Sequence, residues 1–124
     1  MLLKHIGISV NDEREIELFY VRFLGFKRMY NFTIDQETIQ AVFGLNREVR
    51  VVVLNREDIS LEVFIHEQAM EQGFHHICIA VKNPSETTNR AQESGYEVKR
   101  IPRNGKTVFF ISDRSNNLFE LKEI

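Results

Sequence analysis

Four residues have the chemical types and the places that metal chemistry needs: His5, Glu62, His76 and Glu120. His5 and His76 each open the pattern His-Ile-x-Ile-x-Val, and they stand 71 residues apart. Glu62 lies within Leu61-Glu62-Val63 and Glu120 within Phe119-Glu120-Leu121, 58 residues apart. Aliphatic side chains alternate with other types in all of these stretches, so each reads as a strand buried on one face. Ile6, Ile8 and Val10 share one face, as do Ile77, Ile79 and Val81. The histidines share the other face with Gly7, Ser9, Cys78 and Ala80. Glu62 and Glu120 also lie opposite their apolar neighbours, so all four residues point away from the face that packs on helices. Two imidazoles and two carboxylates make a mixed N/O donor set. Such a set suits one divalent ion of Zn, Ni, Co, Mn or Fe and leaves positions open for water or substrate. Any one of these residues alone would read as a solvated polar group; four matching types at symmetric places favour a metal site. Small side chains beside each imidazole leave room for a ligand.

The elements that must position these groups follow in order. Residues 2–10 read as the first strand. Asp12 and Glu15 have capping-box spacing, and Ile16, Phe19, Tyr20, Phe23 and Leu24 form a helical apolar stripe that Gly25 ends. Residues 26–34 read as a strand, and residues 35–45 as a short helix stopped by Gly44. Strands over 49–54 and 59–65 form a hairpin around a tight turn. Residues 67–73 are polar and form the linker. After the second His strand, Asn83-Pro84-Ser85-Glu86 opens a helix with Ala91 inward and Gly95 at its end. Strands over 96–102, 106–111 and 117–123 complete the chain, the first two joined by Asn104-Gly105.

The order is thus βαβββ twice, module one over 1–66 and module two over 74–124, within a single 1–124 domain. The predicted class is α+β: a curved, partly open mixed sheet barrel with helices outside. The first half holds about a dozen extra residues, roughly the size of the 35–45 helix, as expected of an insertion between repeat elements. Composition is 43% apolar and 27% charged with net charge −2, which gives no electrostatic case for nucleic acid or an anionic membrane. The longest apolar run is too short to span a bilayer. The single cysteine excludes an internal disulfide and fits a reducing cytoplasm.

The paired modules, with His at the start of strands one and five and Glu in strands four and eight, resemble the vicinal oxygen chelate superfamily. That superfamily includes glyoxalase I, methylmalonyl-CoA epimerase, fosfomycin-resistance enzymes, extradiol dioxygenases and bleomycin-binding proteins. The order His5, Glu62, His76, Glu120 resembles the glyoxalase I ligand set. The resemblance implies a metal-stabilised enediolate formed by proton loss beside a carbonyl, with Glu120 as both ligand and base. Ser9 stands where bacterial glyoxalase I has an Arg for the glutathione carboxylate, and His66 where it has an Asn, so that glutathione contact is not expected. The family's Asp-Pro-Asp-Gly-Asn loop is Asp113-Arg114-Ser115-Asn116-Asn117 here.

Further residues are expected around a substrate. Ser9 and Cys78 share the ligand faces, Phe64 and Phe110 read as an apolar wall, His66 follows Glu62 and Phe64 on one strand face, and Arg50 is a candidate carboxylate partner. The bland alternatives are a surface His, a solvated Arg and a small buried Cys. A homodimer acting on a small molecule is the expected assembly. The modules pair either within one chain or across the dimer. Three functions compete: a lyase or isomerase, a thiol transferase or dioxygenase, and a metal-free small-molecule binding protein. The intact donor set favours the first.

Overall fold

The alternating segments pair into two four-stranded sheets wired alike. The computed structural model describes residues 1–68, 71 and 73–124. It holds two compact units, Met1–Ala69 and Met70–Ile124. In the first, β1 (Ile6–Val10), β2 (Lys27–Ile34), β3 (Val49–Arg56) and β4 (Ile59–Ile65) lie in the order β1-β4-β3-β2. In the second, β5 (Ile77–Val81), β6 (Glu97–Arg103), β7 (Lys106–Ser112) and β8 (Leu118–Glu123) lie in the order β5-β8-β7-β6. The first strand of each unit runs parallel to the last, and the other neighbours are antiparallel. Among the described residues three helices connect them: a π-helix (Ile16–Phe23), α1 (Gln36–Phe43) and α2 (Pro84–Glu93). The α+β class is as expected, and neither sheet closes into a barrel. The predicted linker, residues 67–73, falls partly outside the described residues. No helix among the described residues is long and apolar enough to cross a membrane.

Local chemistry explains most boundaries. Asn83 accepts from the Glu86 N–H at 3.0 Å, and Pro84 opens α2 where its missing N–H costs nothing. Asp35 accepts from the Thr38 N–H at 2.8 Å, and Gly44 closes α1 at φ 73°. Asn104 and Gly105 both take positive φ, as a two-residue hairpin requires. Three expectations are corrected. β1 begins at Ile6, not at residue 2, because its partner β4 turns back into β3 at Ile59 and the ladder runs out. The Asp12 cap forms through a nearer partner than capping-box spacing implies: its carboxylate takes the Arg14 N–H at 2.9 Å together with the Arg14 guanidinium. The first helix is wound as a π-helix, with the Leu24 N–H reaching back five residues to Phe19. Its stripe residues recur every four positions, which suits either winding.

Strand register assigns the faces. Val52 and Leu54 pair with Val63 and Leu61, on the face shared with Ile6 and Ile8. Arg50 and Arg56 bracket the same face of β3. Arg50 pairs with Glu13 before the π-helix, and Arg56 donates to the Leu24 carbonyl at its end. The π-helix therefore lies along this face, burying Ile16, Phe19 and Tyr20. The opposite face carries Val51, Val53, Glu62 and Phe64. α1 sits on that second face: Ile39 is 1% exposed and packs with Val49, Val51, Phe32, Ile34 and Phe64. The inserted helix is thus docked on the Glu62 face of its own sheet by one buried side chain.

That docking depends on the Asp35 cap. The Thr38 N–H holds the Asp35 carboxyl below its ordinary 3.8. A depressed folded value contributes stability above the ordinary value and loses it as pH falls through the lower one. Acidification below about pH 4 is expected to loosen α1 before the sheets. Faster amide exchange over 36–43 than over β3 and β4 checks this; equal protection across both would refute it.

Candidate active site

Each unit holds one His–Glu pair in the same geometry. His5 Nε2 lies 3.4 Å from Glu62 Oε2, and His76 Nε2 lies 3.4 Å from Glu120 Oε2. Both histidines stand one residue before a strand, and both glutamates sit mid-strand beside it. Glu62 is opposite Gly7 and Glu120 opposite Cys78. The carboxylates are largely shielded, with 22% and 18% side-chain exposure, whereas the imidazoles are 48% and 41% exposed. Shielded carboxylates are fixed by their strands, and accessible rings can turn to meet an ion.

The donor atoms fit a metal ion. Two ligands each about 2.1 Å from one ion lie roughly 3.0 to 3.4 Å apart. Both pairs meet that separation. The Nδ1 of His76 faces the Phe74 carbonyl at 2.9 Å. A carbonyl only accepts, so Nδ1 carries the hydrogen, and Nε2 is the nitrogen turned towards Glu120. This is the arrangement by which an outer hydrogen bond orients a ligating His. In the neutral ring, Nε2 and the carboxylate oxygen would both be donors to a cation. Among the described residues no group of three or more His, Cys, Asp or Glu side chains converges on one metal position. Each unit by itself therefore offers two donors.

The two pairs differ in their surroundings. Lys122 Nζ lies 3.7 Å from Glu120 Oε1, so that carboxylate has a cation on one oxygen and His76 at the other. Cys78 is exposed as a residue. Partial burial of its thiol, then the Glu120 charge, pushes it above the ordinary range. It stays protonated at neutral pH and is a poor nucleophile. Phe110 is opposite Glu120 on β7 and half-buried.

In the first unit, Ser9 is opposite Phe64, on the face of Glu62. Phe64 packs edge-on with Phe43 of α1 at 5.4 Å. His66 Nδ1 is 3.3 Å from Arg47. Arg50 is placed elsewhere, on the face of Val52, where it is ion-paired with Glu13. Strand alternation already put Arg50 out of phase with Val51 and Val53. The glycine-poor loop over 113–117 is held by Asp113, which is 3% exposed and accepts from the N–H groups of Ser115 and Asn117 at 2.9 and 2.8 Å. Sequence reasoning missed Phe43 and Arg47, because their partners are 21 and 19 residues away.

The whole chain has known counterparts. The glyoxalase/bleomycin resistance protein/dioxygenase superfamily matches residues 2–121. An uncharacterized protein of Bacillus subtilis (strain 168), YqjC, is 28% identical over 127 residues, covering 98% of this chain and 91% of its own. Among solved structures, a variant of the fosfomycin resistance protein FosX from Listeria monocytogenes superposes with a TM-score of 0.72 at 23% identity. The alignment covers 97% of this chain and 90% of that one, which was solved with Mn(II) and 1S,2S-dihydroxypropylphosphonic acid. The trypanothione-dependent glyoxalase I of Leishmania major superposes with a TM-score of 0.67 at 18% identity, covering 96% and 84%.

Proposed function

This chain belongs to the glyoxalase/bleomycin resistance protein/dioxygenase superfamily, and we propose that within it the protein is a metal-dependent lyase or isomerase that removes a proton beside a carbonyl. The observation that carries this is the repeated pair, Nε2 to Oε2 at 3.4 Å in both units. His5, Glu62, His76 and Glu120 would hold one divalent ion, Zn, Ni, Co, Mn or Fe. A bound ion of this kind polarises adjacent substrate oxygens and stabilises negative charge on them. The Mn(II) in the FosX variant supports a divalent ion of this type.

The chain's own residues divide the remaining work. Glu120 is the base: the proton passes from the substrate carbon to its Oε2, within reach of the donor nitrogen of His76. Lys122 beside Oε1 holds the carboxylate in place as its charge changes. The Phe74 carbonyl takes the Nδ1–H of His76 and so orients the ring with Nε2 towards the site. Glu62 has no such lysine among the described residues and serves as a ligand. The substrate is a small molecule, and the protein works as a homodimer.

Elemental analysis provides the test. One divalent ion per four ligands is expected, lost to chelator and restored by Ni, Co, Mn or Zn. His5→Ala is expected to lose both the ion and activity. A carefully loaded protein that binds no ion would defeat this proposal and leave a metal-free binding protein in its place.

A further inference from the structure

The longer first half brings two groups onto the ligand face of β4. Phe43, at the end of α1, packs on Phe64. Arg47, just beyond α1, reaches His66. The parallel ladder continues to His66, whose N–H donates to the Val10 carbonyl at 2.8 Å. Glu62, Phe64 and His66 therefore share one face, two residues apart along the strand. The strip runs from the His5–Glu62 pair, over the Phe64–Phe43 shelf, to Arg47 and His66. At about 3.3 Å per residue, Glu62 and His66 are roughly 13 Å apart along it. The second unit has Lys122 and Ile124 at the matching positions, and a two-residue turn in place of the helix.

Arg47 brings a charge to this end of the strip; Arg56 and Arg100 likewise meet only uncharged oxygens among the described residues. Arg14, Arg22, Arg28 and Arg50 are each paired with a carboxylate. Arg47 has no carboxylate partner among the described residues; it meets the His66 ring and, at 3.4 Å, the Glu48 carbonyl. Both Arg47 and His66 are half-buried, so water only partly compensates the charge. A guanidinium only donates, so Nδ1 of His66 is the lone-pair nitrogen and Nε2 carries the hydrogen. The groups left over are the other Arg47 N–H donors and the His66 Nε2–H. A positive edge made only of donors recognises an oxyanion.

We propose that Arg47 and His66 form an oxyanion clasp, which holds the carboxylate or phosphate tail of an elongated substrate whose apolar middle lies on Phe43 and Phe64. The proposal rests on the function above only in taking His5–Glu62 as the reacting end. A short phosphonate such as the one bound to the FosX variant is too small to span the strip.

The clasp is testable without metal or turnover. Chelator-treated full-length protein is titrated with 4-phenylbutyrate, 4-phenylbutyl phosphate, 4-phenylbutanol and inorganic phosphate, following the His66 ring resonances by NMR. Either phenylbutyl anion is expected to shift them saturably, at least tenfold more tightly than the alcohol. The tighter anion identifies the tail as carboxylate or phosphate. Arg47→Gln is expected to weaken anion binding about tenfold, with Arg47→Lys falling between. Phe43→Ala is expected to weaken the phenylbutyl anions and leave inorganic phosphate unchanged. The clasp is refuted if neither phenylbutyl anion moves His66, or if Arg47→Gln binds them as tightly as the native chain. A working clasp on a protein that never binds an ion would defeat the metal proposal alone.

Discussion

Glu120→Gln is expected to lower turnover per bound metal ion by about two to four orders of magnitude. Gln keeps the size and one oxygen donor, so part of the ion remains bound. It cannot accept a proton as a carboxylate does, and its amide carries no charge for Lys122, 3.7 Å from Oε1 in the native chain. Glu62→Gln is expected to be milder, since it removes a ligand charge and leaves the base in place. The measurement is turnover on whichever 2-oxoaldehyde or acyl-CoA thioester proves to be a substrate, divided by metal content. Normalising to bound ion removes the trivial effect of losing it. If Glu120→Gln stays near native while Glu62→Gln collapses, the base is Glu62 and the roles are reversed.

A second large effect is expected in stability. Phe119 is 1% exposed and opposes Ile77 on β5 and Ile111 on β7. Truncating it to Ala removes a full aromatic side chain from the helix-facing side of this sheet, at an expected cost of about 3 to 5 kcal/mol. Domains of this size typically hold only about 5 to 15 kcal/mol in total. The same strand carries Glu120, the proposed base, on its other face, so loss of packing at Phe119 is also expected to free that side chain. Denaturant unfolding checks the magnitude: a loss under about 1 kcal/mol would mean that the neighbours close the cavity.

Much of the fold was legible because its signals are local. Asn83-Pro84-Ser85-Glu86 starts a helix by satisfying N–H groups within three residues, and the Asn83 bond is present at 3.0 Å. Asn104-Gly105 turns the chain because both residues tolerate positive φ. Capping at Asp12 was legible too, although its N–H partner is Arg14. Asp12 offers a short-range acceptor, and Arg14, two residues on, has both an N–H and a guanidinium to give it. The π winding was not legible, because residues spaced by four make a stripe in either helix.

The sequence by itself determined which side of each strand carries His5, Gly7, Glu62, His76, Cys78 and Glu120. Period-two alternation is a property of the chain alone: an extended backbone sends successive side chains to opposite faces. It determined too that the first half holds an extra segment of helical character. Tertiary structure alone decided who meets whom. It paired His5 with Glu62 and His76 with Glu120, each at 3.4 Å, because β1 runs beside β4 and β5 beside β8. It turned Arg50 to Glu13 and left Arg47 for His66. It also set the inserted helix on the Glu62 face, through Ile39. Strand order, register and the docking of α1 follow from burying apolar area between segments distant in the chain, and no local pattern encodes which distant partner wins.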